Sequence, residues 1–276
     1  IPLGPILGGW LLDHYWWGSV FLINVPVVAV ALLAVALLLP ESRSSRPPRL
    51  DLVGVLASSA GLAGLTYGVI EAGERGWGDA GALAAIAAGV LLLAGFVAWQ
   101  RRLARRPDGQ PLVDLSLFRS AGFTWGALLA TLVSFAMFGV LFTMPLYFQA
   151  ILGADALGAG LRLLPLVGGL LGGAQAAGRI SPRAGARATI AAGFALLAAG
   201  LLAGATTDVQ ASYGFAAAWF TLVGLGMGFA LPTAMDAAIG ALSTERSGVG
   251  SGLIMALRAL GGTIGVALLG TVLNAA

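Results

Sequence analysis

The residues able to do chemistry in this sequence are charged or polar side chains set inside apolar runs. Arg258 stands about ten residues into the run 249–273, so at 1.5 Å per helical residue it lies roughly 15 Å deep. A charge at such depth costs about 2.5–3.5 kcal/mol even on permissive scales, which leaves two roles, a transport or gating group or half of a structural ion pair. Asp236 follows Pro232 near the end of the preceding run. A hydrated helix end accounts for it, and so does a gate in which it answers Arg258. Arg162, just inside the run 157–178, is the third charged candidate. Gln175, Ser134, Thr143 and Tyr147 either line a cavity or hydrogen-bond a neighbouring helix. Phe135, Phe138, Phe142, Trp219 and Phe220 serve a hydrophobic cargo or plain packing. Glu71 and Glu74 border a loop and read as hydrated; His14, the single histidine, reads as interfacial.

Enzyme chemistry finds little footing. With no cysteine there are no disulfides, thiolate metal sites or cysteine nucleophiles. All 15 basic residues are arginine, which removes phosphate-loop lysines and Schiff bases. A GxSG nucleophile fails because Val249 occupies the first glycine position. No HExxH or paired-carboxylate cluster appears, so neither metal nor cofactor is expected.

The elements that must position these residues are membrane helices. Of 276 residues 58% are hydrophobic and 10% charged, against about a quarter charged in soluble domains. Runs of about 18 or more apolar residues, long enough to cross a bilayer, lie near 19–39, 52–70, 80–99, 121–149, 157–178, 188–205, 213–235 and 249–273. The segment from Ile1 to Leu12 reads as the end of a ninth helix. The expected fold is all-α and polytopic, with eight full spans and one partial. The 42 glycines fit it, because small residues let membrane helices approach closely.

The loops fall on two sides. Those near 40–50, 100–119, 179–187 and 240–248 carry Arg43, Arg46, Arg49, Arg101, Arg102, Arg105, Arg106, Arg119, Arg179, Arg183, Arg187 and Arg246. Those near 13–18, 71–79, 150–156 and 206–212 carry Arg75. By the positive-inside rule the arginine-rich side is cytoplasmic, and the basic charge answers to the bilayer, not to nucleic acid.

The string Gly4-Pro5-Ile6-Leu7-Gly8-Gly9, followed by Trp17-Gly18-Ser19 through Asn24-Val25-Pro26, resembles the fifth and sixth helices of major facilitator drug:proton antiporters. The closest likeness is to the 14-helix, EmrB/QacA-like type. Gly4 and Gly8 form a GxxxG face, and Pro5 removes a backbone donor, which bends a helix. The resemblance assigns Gly4, Pro5, Gly8 and Gly9 to control of leakage and exchange direction. The helix pair at 52–99 is similar to the pair that sets 14-helix members apart. Gly178 to Arg187 resembles a degenerate form of the superfamily's cytoplasmic signature loop, with Pro182 at its acidic position. Gly160 to Pro165 resembles the start of the tenth helix, and Gly250 to Gly265 the thirteenth.

On that resemblance the chain is an internal fragment with more polypeptide at both ends. Residues 1–39 close an N-terminal bundle, 40–118 hold linkers around the inserted pair, and 119–276 form a truncated C-terminal bundle. The function implied is efflux of hydrophobic or cationic small molecules coupled to protons, in a bacterial inner membrane. A metabolite permease of the same fold and a non-transporting scaffold are the alternatives, the glycine-proline string favouring export. The sidedness is directly testable. Single cysteines placed at Gly78 and Ala154 of the full-length protein are expected to react with an impermeant maleimide on intact cells. Cysteines at Ala184 and Ser243 should react only after permeabilisation, and the reverse pattern overturns the arrangement.

Overall fold

The computed structural model describes residues 3–38, 51–106, 109–207 and 212–275. The expected linker around Pro47–Pro48, with Arg43, Arg46 and Arg49, lies outside these residues. In lipid every backbone N–H and C=O must be satisfied within the segment or by a closed barrel, so apolar runs of this length become helices. The described chain is α-helical, with a single 3-10 turn, Leu115–Arg119. The first helices are α1 (Leu3–His14), α2 (Ser19–Leu22) and α3 (Asn24–Leu38), followed by a hairpin of α4 (Leu52–Arg75) and α5 (Ala80–Ala104). The rest of the fold is α6 (Ala121–Ala150), α7 (Ala156–Arg162), α8 (Leu164–Ala184), α9 (Ala186–Ala205), α10 (Tyr213–Gly240) and α11 (Thr244–Ala275). Eight helical spans are long and apolar enough to cross a membrane, and α1 is the short ninth.

Two expected spans are present but each carries a one-residue interruption, and proline explains both. Pro26 cannot donate to the carbonyl one turn back, and the helix interrupts at Ile23, between α2 and α3. Pro165 sits in the first turn of α8, where its missing N–H costs nothing, and Leu163 separates α7 from α8. Other boundaries move outward. The turn expected at 179–187 narrows to Gly185, because α8 runs through Pro182 to Ala184. Gly185 adopts φ +84°, a left-handed conformation open to glycine at little cost, and α9 starts directly after it. Helix α10 continues through Pro232 to Gly240 without a break. The stretch after Gln100 is not a plain linker either: α5 persists to Ala104, and Leu117 of the 3-10 turn is buried against the bundle.

Helix α10 is the hub, packed on α8, α9 and α6, while α11 packs on α6. The contacts are main chain to main chain. A Cβ at Gly228 would lie 2.3 Å from the Leu170 carbonyl oxygen, and one at Gly224 2.1 Å from that of Leu166. One buried cluster gathers Phe148, Trp219, Phe220, Val223 and Met227; a second holds Leu117, Phe123, Ala234 and Ile254. Helix α3 by contrast buries none of its residues.

The hairpin is locked at one end by a polar knot around Asp51, the N-cap of α4. Its Oδ1 accepts from the Gly54 N–H (2.9 Å) and the Trp99 indole N–H (3.0 Å), and its Oδ2 from Gln100 Nε2 (2.7 Å). Gln100, 0% exposed, in turn accepts from the Val113 N–H at 3.3 Å, tying the loop after α5 to the hairpin. Desolvation pushes the Asp51 carboxyl up, but the hydrogen bonds from Gly54, Trp99 and Gln100 outweigh it and hold it below the ordinary aspartate range.

Two stability tests follow, read as thermal unfolding of the purified full-length protein in detergent. Gly228→Ala should destabilise by about 1–3 kcal/mol, as overpacking of a tight interior does. Gly168→Ala, where a Cβ meets nothing within 4 Å, should be neutral or stabilising, and equal effects would refute main-chain packing at Gly228. Asp51→Ala should lose about 0.5–2 kcal/mol with the cap. Because the native carboxyl is lowered, the wild-type advantage is full above about pH 4. It should vanish as pH falls through the lower native value; an advantage that persists in acid would contradict the charged cap.

Candidate functional site

The site is assembled where α6, α10 and α11 converge. Gly261 lets α11 touch α6, since a Cβ there would sit 2.5 Å from the Thr131 carbonyl oxygen. One turn away on each helix, that approach brings Arg258 to Ser134. The guanidinium Nε–H donates to the Ser134 Oγ at 3.0 Å, and Nη1 donates to the sulfurs of Met235 and Met255, both at 3.6 Å. Met255 precedes Arg258 by three residues, so the side chain folds back along α11 toward its N-terminal end, as helical side chains do. Ser134 is fully buried and Arg258 half-buried.

The expected answer from Asp236 is not formed. Asp236 is exposed on α10, and among the described residues the ion pairs are Arg75 with Glu71 (2.6 Å) and Arg246 with Asp114 (3.7 Å). The geometry explains the miss. Met235 presents its side chain to Arg258, and the next residue along a helix points about 100° away.

Arg162 ends α7 with its guanidinium carbon 5.8 Å from the centre of the Phe148 ring. Its Nη1 is buried without a hydrogen-bond partner, and its carbonyl accepts from the Tyr213 hydroxyl at 3.4 Å. Phe148, Trp219 and Phe220 form a cluster of tilted rings, with Trp219 and Phe220 ring centres 4.1 Å apart. Trp219 and Phe220 are therefore core residues. Tyr147 stands beside Phe148, Thr143 spends its hydroxyl on the Gly139 carbonyl, and Gln175 is exposed. Of the four polar candidates, Ser134 alone meets a charged group in the described structure.

On α1 the contact surface differs from the GxxxG expectation. A Cβ at Gly4 or Gly8 meets nothing within 4 Å, whereas one at Gly9 would lie 2.7 Å from the Ala156 carbonyl oxygen at the start of α7. Asp13 reinforces that contact, its Oδ2 accepting from the Leu157 N–H at 3.2 Å. Pro5 falls in the first described turn of α1. His14 donates from Nδ1 to the Trp10 carbonyl at 2.9 Å and is exposed, as an interfacial residue is.

A further feature escaped the sequence reading. Helix α4 runs to Arg75, so Glu71 is no hydrated loop residue: it is 8% exposed and ion-paired with Arg75 one turn on. The Glu71/Arg75 spacing of four is the signal that could have found it. Glu74 borders a cavity of about 710 Å³ between α4, α6 and α11, whose walls include Phe138, Phe142, Ala259 and Gly262. Two of the phenylalanines left open between cargo and packing thus face open space. A second apolar cavity of about 810 Å³ lies between the hairpin and α11 and shares Thr66, Ala259 and Thr263 with the first. Among the described residues no group of three or more His, Cys, Asp or Glu could hold a metal.

Comparison with known proteins fits this architecture. Residues 1–266 match the profile of the Major Facilitator Superfamily. The chain is 35% identical over 271 residues to the tetracenomycin C resistance and export protein of Streptomyces glaucescens, covering 98% of the chain and 49% of that protein. It is 34% identical to the probable actinorhodin transporter of Streptomyces coelicolor, over 98% of the chain and 48% of the relative. Against multidrug resistance protein Stp of Mycobacterium tuberculosis the identity is 32%, over 99% and 50%. The chain spans about half the length of these curated relatives. A helical bundle of eight apolar spans, packed through glycine and matched along nearly its whole length, places this chain in the Major Facilitator Superfamily.

Proposed function

We propose that the full protein is a proton-coupled exporter of hydrophobic small molecules, antibiotics among them, in a bacterial inner membrane. What carries the reading is that relatives named for antibiotic export and multidrug resistance align with 98–99% of this chain at 32–35% identity. The structure supports it with a bundle that has the parts an exporter needs. There are apolar cavities faced by Phe138 and Phe142, a charged group within the bundle at Arg258, and a small contact between α1 and α7. Residues 1–39 belong, on this reading, to the N-terminal bundle, 40–118 to the linkers and inserted hairpin, and 119–276 to the C-terminal bundle. The Gly9–Ala156 contact then joins the two bundles on the outer side, with the arginine-rich loops in the cytoplasm. Gly4, Pro5 and Gly8 present the rest of that helix to the polypeptide upstream.

In this arrangement the protein catalyses no covalent chemistry. Arg258, Arg162 and Asp236 act by charge on the conformational cycle. The apolar walls recognise a compound by its hydrophobic body, with any cationic group served by carboxylates such as Glu74.

The decisive experiment uses the full-length gene in inverted membrane vesicles. A hydrophobic fluorescent dye should accumulate when the lumen is acidified, and nigericin should abolish that accumulation. Uptake indifferent to the pH gradient would overturn proton coupling, and no uptake of any hydrophobic dye would overturn export.

A further inference from the structure

We propose that Arg258, with Ser134, Met235 and Met255, is a binding subsite for the acidic group of a substrate whose body is apolar. The inference deepens the export reading and rests on it only in placing the subsite on a transport path. A guanidinium offers five N–H donors and does not shed its proton in proteins, so burial cannot be relieved by neutralisation. Here Nε is spent on Ser134 Oγ at 3.0 Å, and Nη1 faces two thioether sulfurs at 3.6 Å. Thioether sulfur is a weak acceptor and carries no charge. Among the described residues no carboxylate forms an ion pair with Arg258. The contrast with Glu71 is instructive, because that buried charge has its counter-ion, Arg75, on its own helix. Arg258 is therefore a cation within a membrane bundle whose anion comes from elsewhere.

The surroundings select what that anion is attached to. Met255, against which the guanidinium rests, is 53% exposed, so the site is open on that flank. Ala259 and Gly262, the residues next to Arg258 and one turn beyond it, line the 710 Å³ cavity together with Phe138 and Phe142. A ligand with a carboxylate at the guanidinium and an aromatic or aliphatic body along α11 satisfies both halves of the site. Carboxylate is the matching headgroup, because the planar guanidinium fork pairs with it through two parallel hydrogen bonds. The same chemistry has a second source, an acidic side chain of the polypeptide outside this chain, and the experiment separates the two.

The purified full-length protein in detergent is titrated at pH 7.5 with pyrenebutyrate, its methyl ester and pyrenebutylamine, three probes sharing one apolar body. No proton gradient is involved, so a failure of coupling and a failure of this subsite are distinguishable. Wild type is expected to bind the acid at least about tenfold more tightly than the ester, with the amine weakest, as a charge-assisted pair requires. Arg258→Gln should bring the acid down to the affinity of the ester while leaving the ester within about twofold, and Arg258→Lys should retain part of the preference. Ester binding doubles as the control for folding, and if Arg258→Gln does not fold, the wild-type comparison alone decides. Equal affinity of wild type for acid and ester overturns the proposal. So does an Arg258→Gln variant that loses both probes equally while remaining folded by size-exclusion chromatography, the result expected when a protein carboxylate is the partner.

Discussion

Helices α8 and α10 touch through their main chains, and the rest of the bundle is arranged around that contact. Gly169 and Gly173 on one helix face the main chain of Thr221 and Leu225 on the other, and Gly224 and Gly228 return the approach against Leu166 and Leu170. Between helices in lipid there is no hydrophobic drive to associate, because lipid tails are as apolar as leucine. Attraction must come from dispersion, which is small per atom pair and grows with the number of atoms in contact. Removing the side chain at every crossing point maximises that number. The device recurs where Gly193 and Gly226 join α9 to α10, and where Gly261 and Gly265 join α11 to α6. The second of these seams sets the site, since it fixes the separation across which Arg258 reaches Ser134.

Not every pair of helices is held this way, and the inequality has mechanical meaning. The contact of α1 with α7 includes Gly9 against the main chain of Ala156 and Leu157, and a hydrogen bond from the Leu157 N–H to Asp13. The α2–α3 segment buries no residue at all. The α8–α10 seam is longer, lined by carbonyls and glycines over two turns. Close-packed seams of this kind have low compressibility and resist deformation, which is the mechanical meaning of the difference.

The fold was largely legible because its signal is redundant. Eight apolar runs appear as eight spans, and the glycine-rich composition anticipated the seams. Missed boundaries share one cause: charged and polar residues were read as loops, whereas a helix end tolerates them when a cap or ion pair is present. Arg75 extends α4 by pairing with Glu71, and Gln100 is buried because Asp51 and Val113 occupy its amide. At the site, depth was legible and direction was not. Counting residues put Arg258 inside its run, but whether Asp236 or Met235 faces it depends on the rotation of α10, which apolar periodicity cannot fix in a helix apolar all round. On α1 the same limit applies: Gly9 meets α7, while a Cβ at Gly4 or Gly8 meets nothing within 4 Å among the described residues.

The charges of this chain also divide the labour between binding and proton carriage. A coupled cycle needs a group that takes up and releases a proton within the working pH range, and a guanidinium does not. Arg258 and Arg162 are cations able to hold an anion or stiffen a contact. Glu71 is committed to Arg75 one turn along its own helix. The exposed carboxylate of Asp236 sits one turn from the end of α10, where water reaches it. These residues are therefore suited to recognising cargo and keeping the bundle in register. On the proposed reading the coupling carboxylate belongs to another part of the full protein, which leaves Arg258 free for the acid of a substrate.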